Sequence, residues 1–276
     1  MSIIWPDFDE NSEASRKLIR NKQINDETYW PTMREIFAYD CQKLPLNRFR
    51  LWASIHNVPL VTQYRTSRFF GETFYHAARD PKIAEVLQEN WIGIPDAMKS
   101  ALYATNDYDT STQRVQDIAH LLICGFTPEM LSGYESIVEI GAGYGNMCSV
   151  IHGMGFKGKY TIVDIPELQP VHKHYLNKQD IEPNFSFEDD NVSHADLVVS
   201  TWALSETPLD YRERLMPKID QSKNWLILAQ SKIFGWDHNE DYFKKFFADK
   251  NCTSIPLISD GLNKWDGGNN YYVVKQ

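Results

Sequence analysis

The residues best suited to binding or catalysis are the glycines and the glutamate of Val138-Glu139-Ile140-Gly141-Ala142-Gly143-Tyr144-Gly145. The apolar run from Ser136 predicts a buried strand, and a helical pattern begins at Asn146. Glycines between a strand and a helix let the backbone turn tightly and approach a ligand that a Cβ atom would exclude. This segment therefore predicts a turn that holds a cofactor through Gly141, Ala142, Gly143 and Gly145.

The type of cofactor follows from the acids near this turn. The spacing GxGxG, rather than GxGxxG, and an acid inside the strand argue against a nicotinamide dinucleotide. S-adenosylmethionine carries an amine, a carboxylate, a ribose diol and an adenine, but no pyrophosphate. Glu139 is placed to organise its amine end, and Asp164, at the end of the next predicted strand, to accept both ribose hydroxyls. We predict S-adenosylmethionine as the cofactor and S-adenosylhomocysteine as the product.

Polar residues also follow the third and fourth predicted strands. An acid after the third strand would accept from the adenine amino group, and carbonyls at the end of the fourth would face the cofactor amine. A single acid after a strand is more often a helix cap, and Asp189 and Asp190 also fit a polar turn, so the prediction depends on these residues occurring together. The further cofactor contacts predicted in this way are Asp189, Asp190, Ser200 and Thr201, with Ile165 beside Asp164 and Gln113 at the methionine end.

Elements that position these residues can be read from the hydrophobic pattern. From Ser136 onward, short apolar runs alternate with helical stretches, which predicts βαβ units and a mostly parallel α/β sheet. The last two runs, 254–258 and 271–274, are typical of an antiparallel closing pair.

The first half of the chain differs because its patterns are helical. They cover residues 29–44, 47–57 and 71–90, with a further helix from about Ser111. We predict an α-helical region over 1–110 that covers the donor and shapes the acceptor site. A Rossmann-like domain over 111–276 follows it.

Composition narrows the function classes. The net charge of −9 argues against a nucleic-acid partner, because phosphate neutralisation needs a basic face. No apolar run is long enough for a membrane helix, and the N-terminal residues lack a signal-peptide pattern. The four cysteines lie far apart and form neither a CxxC motif nor a disulfide framework. We expect a reduced, cytoplasmic setting, and a homodimer remains open.

Three motifs resemble one known family. The glycine segment, Tyr160-Thr161-Ile162-Val163-Asp164-Ile165-Pro166-Glu167 and Ala203-Leu204-Ser205-Glu206 are similar to the sugar O-methyltransferases of bacterial surface-polysaccharide loci. The resemblance covers the Rossmann-like half, and the N-terminal half matches only loosely. It implies a class I methyltransferase fold, an S-adenosylmethionine donor and a saccharide or sugar-nucleotide acceptor. By position, it implies cofactor contacts at Glu139, Gly141, Gly143 and Asp164. Trp202 departs from the polar residue of the family, which leaves the acceptor shape open.

Methyl transfer to a hydroxyl requires alignment of the reactants and usually a base. Glu206, just beyond the fourth predicted strand, is the first candidate base, although Ser205 and Glu206 also fit the cap of the next segment. His238, after the fifth strand, is the second candidate.

Candidate acceptor contacts lie in the helical half. Tyr64, Arg65 and Arg68 combine an aromatic ring with cations, and arginine suits the diphosphate of a sugar nucleotide. A polar capping loop fits the same residues. We predict no metal site, because the acid groups Asp189-Asp190 and Asp237, Glu240 and Asp241 are more typical of solvated loops.

Three other classes remain open. An N-methyltransferase acting on protein or nucleic acid is disfavoured, because Ser200-Thr201-Trp202-Ala203 stands where an Asn-Pro-Pro-Tyr type motif would be. A non-catalytic subunit that keeps a donor site and an NAD-dependent oxidoreductase are the others.

Overall fold

The computed structural model describes residues 29–51, 66–88, 110–187, 191–231, 238–257 and 269–276. The first of these residues are helical, as their sequence pattern predicts. Their helices are α1 (Tyr29–Lys43), α2 (Thr66–Ala77), α3 (Pro81–Leu87), α4 (Thr112–Ile123) and α5 (Pro128–Ser132), with a 3-10 turn at Leu46–Leu51. Helix α2 begins at Thr66 rather than at the expected Gly71, which lies inside it.

Strands and helices alternate from Ser136 onward, and the strands come in the order expected, whereas the helices Ala203–Glu206 and Asn239–Phe246 are additional to the predicted ones. The elements are β1 (Ser136–Ile140), α6 (Asn146–Gly153), β2 (Lys159–Val163), a 3-10 turn (Pro166–Leu168), α7 (Gln169–Asn177), β3 (Asn184–Ser186), β4 (Leu197–Thr201), α8 (Ala203–Glu206), α9 (Leu209–Ile219), β5 (Asn224–Gln230), α10 (Asn239–Phe246), β6 (Cys252–Pro256) and β7 (Asn269–Val274).

These strands form one sheet in the order β3-β2-β1-β4-β5-β7-β6. Strands β1 to β5 run parallel, and β7 pairs antiparallel with both β5 and β6. The prediction of a Rossmann-like, mostly parallel sheet with an antiparallel closing strand is confirmed. Because β1 lies between β2 and β4, the carboxyl ends of these three strands meet at one edge of the sheet.

Side chains alternate between the two faces of the sheet, because successive residues of a strand point to opposite sides. On one face, here called the α4 face, Leu226 and Leu228 of β5 pack in a cluster that includes residues of α4 and α6. On the other, the α9 face, Trp225, Ile227 and Ala229 pack in a cluster with residues of α9 and α10. The sheet is thus covered on both sides, as parallel sheets are.

The described N-terminal helices pack on the α4 face. Apolar side chains of α1 and α3, such as Ile36 and Ile83, belong to the same hydrophobic cluster as the sheet. Buried polar groups link the layers as well: the Thr73 hydroxyl donates to the carbonyl of Val115 at 3.0 Å, and Arg114 donates to the carbonyl of Val86. The helical region therefore shares a core with the sheet.

No helix within the described ranges is both long enough and apolar enough to cross a bilayer. All four cysteines have free thiols.

Candidate active site

The glycine turn after β1 has the geometry its sequence predicts. Gly141, Gly143 and Gly145 have φ angles of 75°, 61° and 96°, in the left-handed region that favours glycine. The amide of Gly141 donates to the carbonyl of Val163 at 2.9 Å, which ties the turn to the end of β2. A Cβ atom on Gly141 would overlap that of Ala203 in α8, whereas one on Gly143 would meet nothing within 4 Å. The turn is closely packed at Gly141 and open at Gly143.

This difference predicts opposite effects for two alanine substitutions. Gly143→Ala should fold with a backbone cost of about 1–2 kcal/mol, but its Cβ enters the open space and should weaken cofactor binding. Gly141→Ala should lose about 3 kcal/mol or more, because it adds overpacking to the same strain. Thermal melts and calorimetric titration with S-adenosylhomocysteine measure the two effects. Equal melting temperatures, or full ligand affinity in Gly143→Ala, would contradict this account of the turn.

Glu139 lies buried directly beneath the turn. Its carboxylate accepts a hydrogen bond from the Tyr160 hydroxyl at 2.8 Å, and burial raises the pKa of Glu139 to about 8. Nearby, Asp117 of α4 accepts from the Asn146 side chain at 2.6 Å and from Gln113 at 3.0 Å. Gln113 therefore binds a second buried acid, which the sequence interpretation missed. Two buried acid side chains, Glu139 and Asp117, therefore lie beneath the turn, and Glu139 is largely protonated at neutral pH.

Asp164 follows β2 at the same edge of the sheet. Its Oδ1 accepts from the amide of Ile165 at 2.7 Å, whereas Oδ2 is buried and has no hydrogen-bond partner. Nε2 of His172 lies 3.6 Å from Oδ2 but donates to the carbonyl of Gly143 at 2.9 Å. Burial lowers the pKa of His172 to about 4, so this imidazole is neutral. Burial raises the pKa of Asp164 to about 7. The amides of Ala142 and Gly143 act to lower that pKa, so the carboxylate faces the turn, with Oδ2 outside hydrogen-bonding geometry to either amide.

Ser186 is a further residue at this edge that the sequence interpretation missed. It ends β3, where it pairs with Val163, and its buried hydroxyl has no hydrogen-bond partner. Its carbonyl accepts from the amide of Asp164 at 3.3 Å. Only the position of Ser186 at a strand end could have indicated it from sequence.

The end of β4 is held in a strained conformation. Trp202 has a φ of 75°, which is uncommon for a bulky residue and costs about 1–3 kcal/mol. Its carbonyl accepts from both the amide and the hydroxyl of Ser205, at 2.9 and 2.6 Å. The Ser200 hydroxyl donates to the carbonyl of Ile140 and accepts from the amide of Leu204. These bonds fix the four-residue helix α8 against the glycine turn. Strain of this kind is typical of functional sites.

Glu206 is the last residue of α8 and lies one helical turn beyond Ala203, the residue that packs against Gly141. Its backbone carbonyl accepts from the Trp30 indole at 2.6 Å, so α1 reaches across to this point. Within the described ranges no side chain hydrogen-bonds to its carboxylate, and burial raises the pKa of Glu206 to about 7. A half-buried carboxyl group with this pKa is suited to accept a proton near neutral pH.

His238 lies beside a buried arginine. Its Nε2 is 3.3 Å from a terminal nitrogen of Arg212, and a guanidinium only donates, so the lone pair of Nε2 is engaged. Arg212 also donates to Asn239, which in turn donates to the carbonyl of Ser205 at 2.9 Å. The contact of His238 with a cation makes it a weaker candidate base than Glu206. The cluster supports α8 from the α9 face.

Several predicted site residues lie outside the described residues, namely Tyr64, Arg65, Asp189, Asp190 and Asp237. Arg68 belongs to α2, but its side chain is not described. In the described part of the chain, no group of three or more potential ligands is arranged to hold a metal ion.

Comparison with known proteins gives neighbours in fold only. No family model matches the chain, and no curated protein matches it. The magnesium protoporphyrin IX methyltransferase of Synechocystis PCC 6803, solved with bound SAM, is similar at 12% identity over 79% of this chain and 96% of that one, with a TM-score of 0.45. The ribosomal protein L11 methylase of Lactobacillus delbrueckii subsp. bulgaricus is similar at 13% identity over 59% and 80%, with a TM-score of 0.41. An O-methyltransferase family protein from Burkholderia thailandensis is similar at 11% identity over 59% and 60%, with a TM-score of 0.39.

Proposed function

We propose that this chain is an S-adenosylmethionine-dependent O-methyltransferase and that its acceptor is a sugar or a nucleotide-activated sugar. The observation that carries the donor part of the proposal is Oδ2 of Asp164, a buried carboxylate oxygen without a partner, beside the open face of Gly143, whereas the acceptor class follows from the family resemblance of the sequence motifs. A buried acceptor without a donor is costly, so a ligand that supplies donors is expected there. A ribose diol supplies two.

The groups at this edge fit the donor better than they fit a dinucleotide. Glu139, Asp164 and Glu206 are three carboxyl groups close to the glycine turn, and two of them are largely or fully buried. Asp164 and Glu206, each with a pKa of about 7, can ionise when a cationic donor binds, and carboxylates attract ammonium and sulfonium charges, whereas they repel a pyrophosphate. Asp164 would hold the ribose, the backbone of Gly141 to Gly143 would line the methionine chain, and carbonyls at Ser200 and Thr201 would accept from the ammonium.

When bound, the donor supplies an electrophilic methyl group on sulfur. The chain positions an acceptor hydroxyl in line with that methyl group, beside α8. The carboxylate of Glu206 takes the hydroxyl proton as the oxygen–carbon bond forms and the carbon–sulfur bond breaks. The products are a methyl ether and S-adenosylhomocysteine, and Glu206 returns the proton to solvent.

Donor binding can be tested without knowing the acceptor. At a hundred times its dissociation constant, S-adenosylhomocysteine should stabilise the protein by about 2.7 kcal/mol, seen as a higher melting temperature. NAD at the same concentration should give no shift. A shift with NAD alone, or no shift with S-adenosylhomocysteine, would contradict the proposed function.

A further inference from the structure

A second buried acceptor without a partner lies further along the same edge of the sheet. Gln230 is the last residue of β5, and its Oε1 is buried with no hydrogen-bond partner. Leu226 and Leu228 point to the α4 face, and alternation along the strand places the Gln230 side chain on that face too. The donor site described above does not use this group.

Gln230 has a polar neighbour on the same face. It pairs with Asn269, the first residue of β7, which is buried, whereas Gln230 as a whole is half-buried. Tyr271 and Val273 of β7 point to the α4 face, so Asn269 does as well. Directly opposed residues on one face of an antiparallel pair have Cβ atoms about 4.5–5.5 Å apart. Two amide side chains therefore stand side by side at the edge of the sheet.

The Gln230 and Asn269 amides lie next to the part of the proposed active site where the methyl acceptor would bind. In the register of β4 and β5, Thr201 pairs with Leu228, so Gln230 lies two residues beyond the end of β4, on the same face of the sheet. The amide of Trp202 donates to the carbonyl of Leu228 at 2.8 Å, which brings the strained residue against β5. The indoles of Trp30 and Trp202, both half-buried, pack against the hydrophobic cluster of this face.

The other end of β5 shows that an unpartnered amide is not a general property of this strand. Asn224, the first residue of β5, donates from Nδ2 to the carbonyl of Asp196 at 2.8 Å. Its Oδ1 accepts from the amide of Gln276 at 3.0 Å. The Asn224 amide, at the end of β5 away from the proposed site, has hydrogen-bond partners for both its nitrogen and its oxygen. The side-chain oxygen of Gln230, at the end of β5 beside the site, has none.

We propose that Gln230, with Asn269, binds ring hydroxyl groups of a polyhydroxylated acceptor, and that Trp30 and Trp202 provide the apolar surface for its ring. An amide oxygen accepts from O–H or N–H donors, and sugars combine several hydroxyl donors with an apolar ring face. This inference rests on the proposed function and identifies the class of its acceptor.

Two variants of Gln230 separate binding from folding. Gln230→Met keeps the length of the side chain and removes the amide, whereas Gln230→Glu keeps an oxygen acceptor. Gln230→Met should leave the melting temperature of the free protein unchanged or raise it, because it removes a buried acceptor without a partner. Asn224→Leu is the matched control, and it should lower the melting temperature because it leaves partners unsatisfied.

The binding experiment uses methyl glucoside, methyl galactoside and methyl mannoside as probes, with cyclohexanol as the hydroxyl-poor comparison. Saturation-transfer NMR is recorded with protein saturated by S-adenosylhomocysteine, whose own binding is measured by calorimetry in the same samples. At least one glycoside should bind, and cyclohexanol should not. Binding should be about tenfold weaker in Gln230→Met and little changed in Gln230→Glu and Asn224→Leu.

The outcomes distinguish this inference from the proposed function. Absence of S-adenosylhomocysteine binding contradicts the proposed function itself. Normal S-adenosylhomocysteine binding with no glycoside signal, or with equal glycoside signals in wild type and Gln230→Met, overturns the assignment of Gln230 alone.

Discussion

Replacing Glu206 by glutamine is expected to lower kcat by about 10²–10⁴-fold and to leave the affinity for S-adenosylhomocysteine unchanged. The substitution keeps the size of the side chain and its place at the end of α8, but it removes the group that accepts the proton. The donor contacts proposed for Asp164 and the glycine turn do not involve this side chain. Transfer of a labelled methyl group to nucleotide-activated sugars measures kcat, and calorimetry measures donor-site affinity.

The pH dependence of the reaction provides a second measurement on the same variant. Burial raises the pKa of Glu206 to about 7, and a base acts as its ionised form. Wild-type kcat should therefore rise as the pH increases through about 7 and level off above it. Glu206→Gln should lack this step.

The control is an exposed glutamate near the amino ends of the parallel strands, at the end of the sheet opposite to the proposed active site. Glu182 precedes the amino end of β3, and its side chain is exposed. Glu182→Gln removes one carboxylate of the same kind and should retain full kcat and the wild-type pH profile. If Glu206→Gln keeps wild-type turnover, Glu206 is not the base, and the protein must use another group.

Elements with a strong local pattern could be predicted from the sequence. Helix α6 spans Asn146–Gly153, as expected, because glycines before it and apolar spacing within it are both local signals. The antiparallel closing pair was likewise indicated by its apolar runs. The start of α2 differs from the sequence prediction, because glycine often marks a helix boundary, whereas Gly71 lies inside this helix in open space.

Helix α8 could not be predicted, because four residues do not form a stable helix on their own. Its bonds come from Ser200 in β4 and from Asn239, which lies 34 residues beyond Ser205. The contact of Trp30 with the carbonyl of Glu206 spans 176 residues of sequence. Distant contacts of this kind leave no periodic pattern, so the sequence indicates the acids of the candidate site but not the groups that hold them.

Asp164 is the position where loss of donor binding should be largest. Asp164→Asn is expected to weaken binding of S-adenosylhomocysteine by about a hundredfold or more, because the ribose hydroxyl groups lose a charged acceptor. The variant keeps an oxygen that can accept from the amide of Ile165, so the backbone after β2 should hold its position. Calorimetric titration measures the affinity. Asp249→Asn, in an exposed turn, is the control and should bind like wild type.

In the absence of ligand, Asp164→Asn should stabilise the folded protein, although it weakens ligand binding. Burial raises the pKa of Asp164 in the folded protein from an ordinary value of 3.8 to about 7. Between these two values the unfolded chain is ionised while the folded protein holds the proton, so the free energy of unfolding falls as pH rises through that window. Asparagine carries no charge, so the fall in the free energy of unfolding that Asp164 causes at higher pH should be absent from the variant. At pH 8 the ligand-free Asp164→Asn variant should therefore be more stable than wild type.

Chemical denaturation of the two proteins at pH 5 and pH 8 tests this sign. The difference in stability should favour the variant more at pH 8 than at pH 5, although the variant binds the ligand less well. A carboxylate retained at a cost to folding is expected where a ligand uses it. Equal pH dependence in the two proteins would show that Asp164 is already stabilised within the chain. In that case the unpartnered oxygen would no longer indicate a ribose at this position.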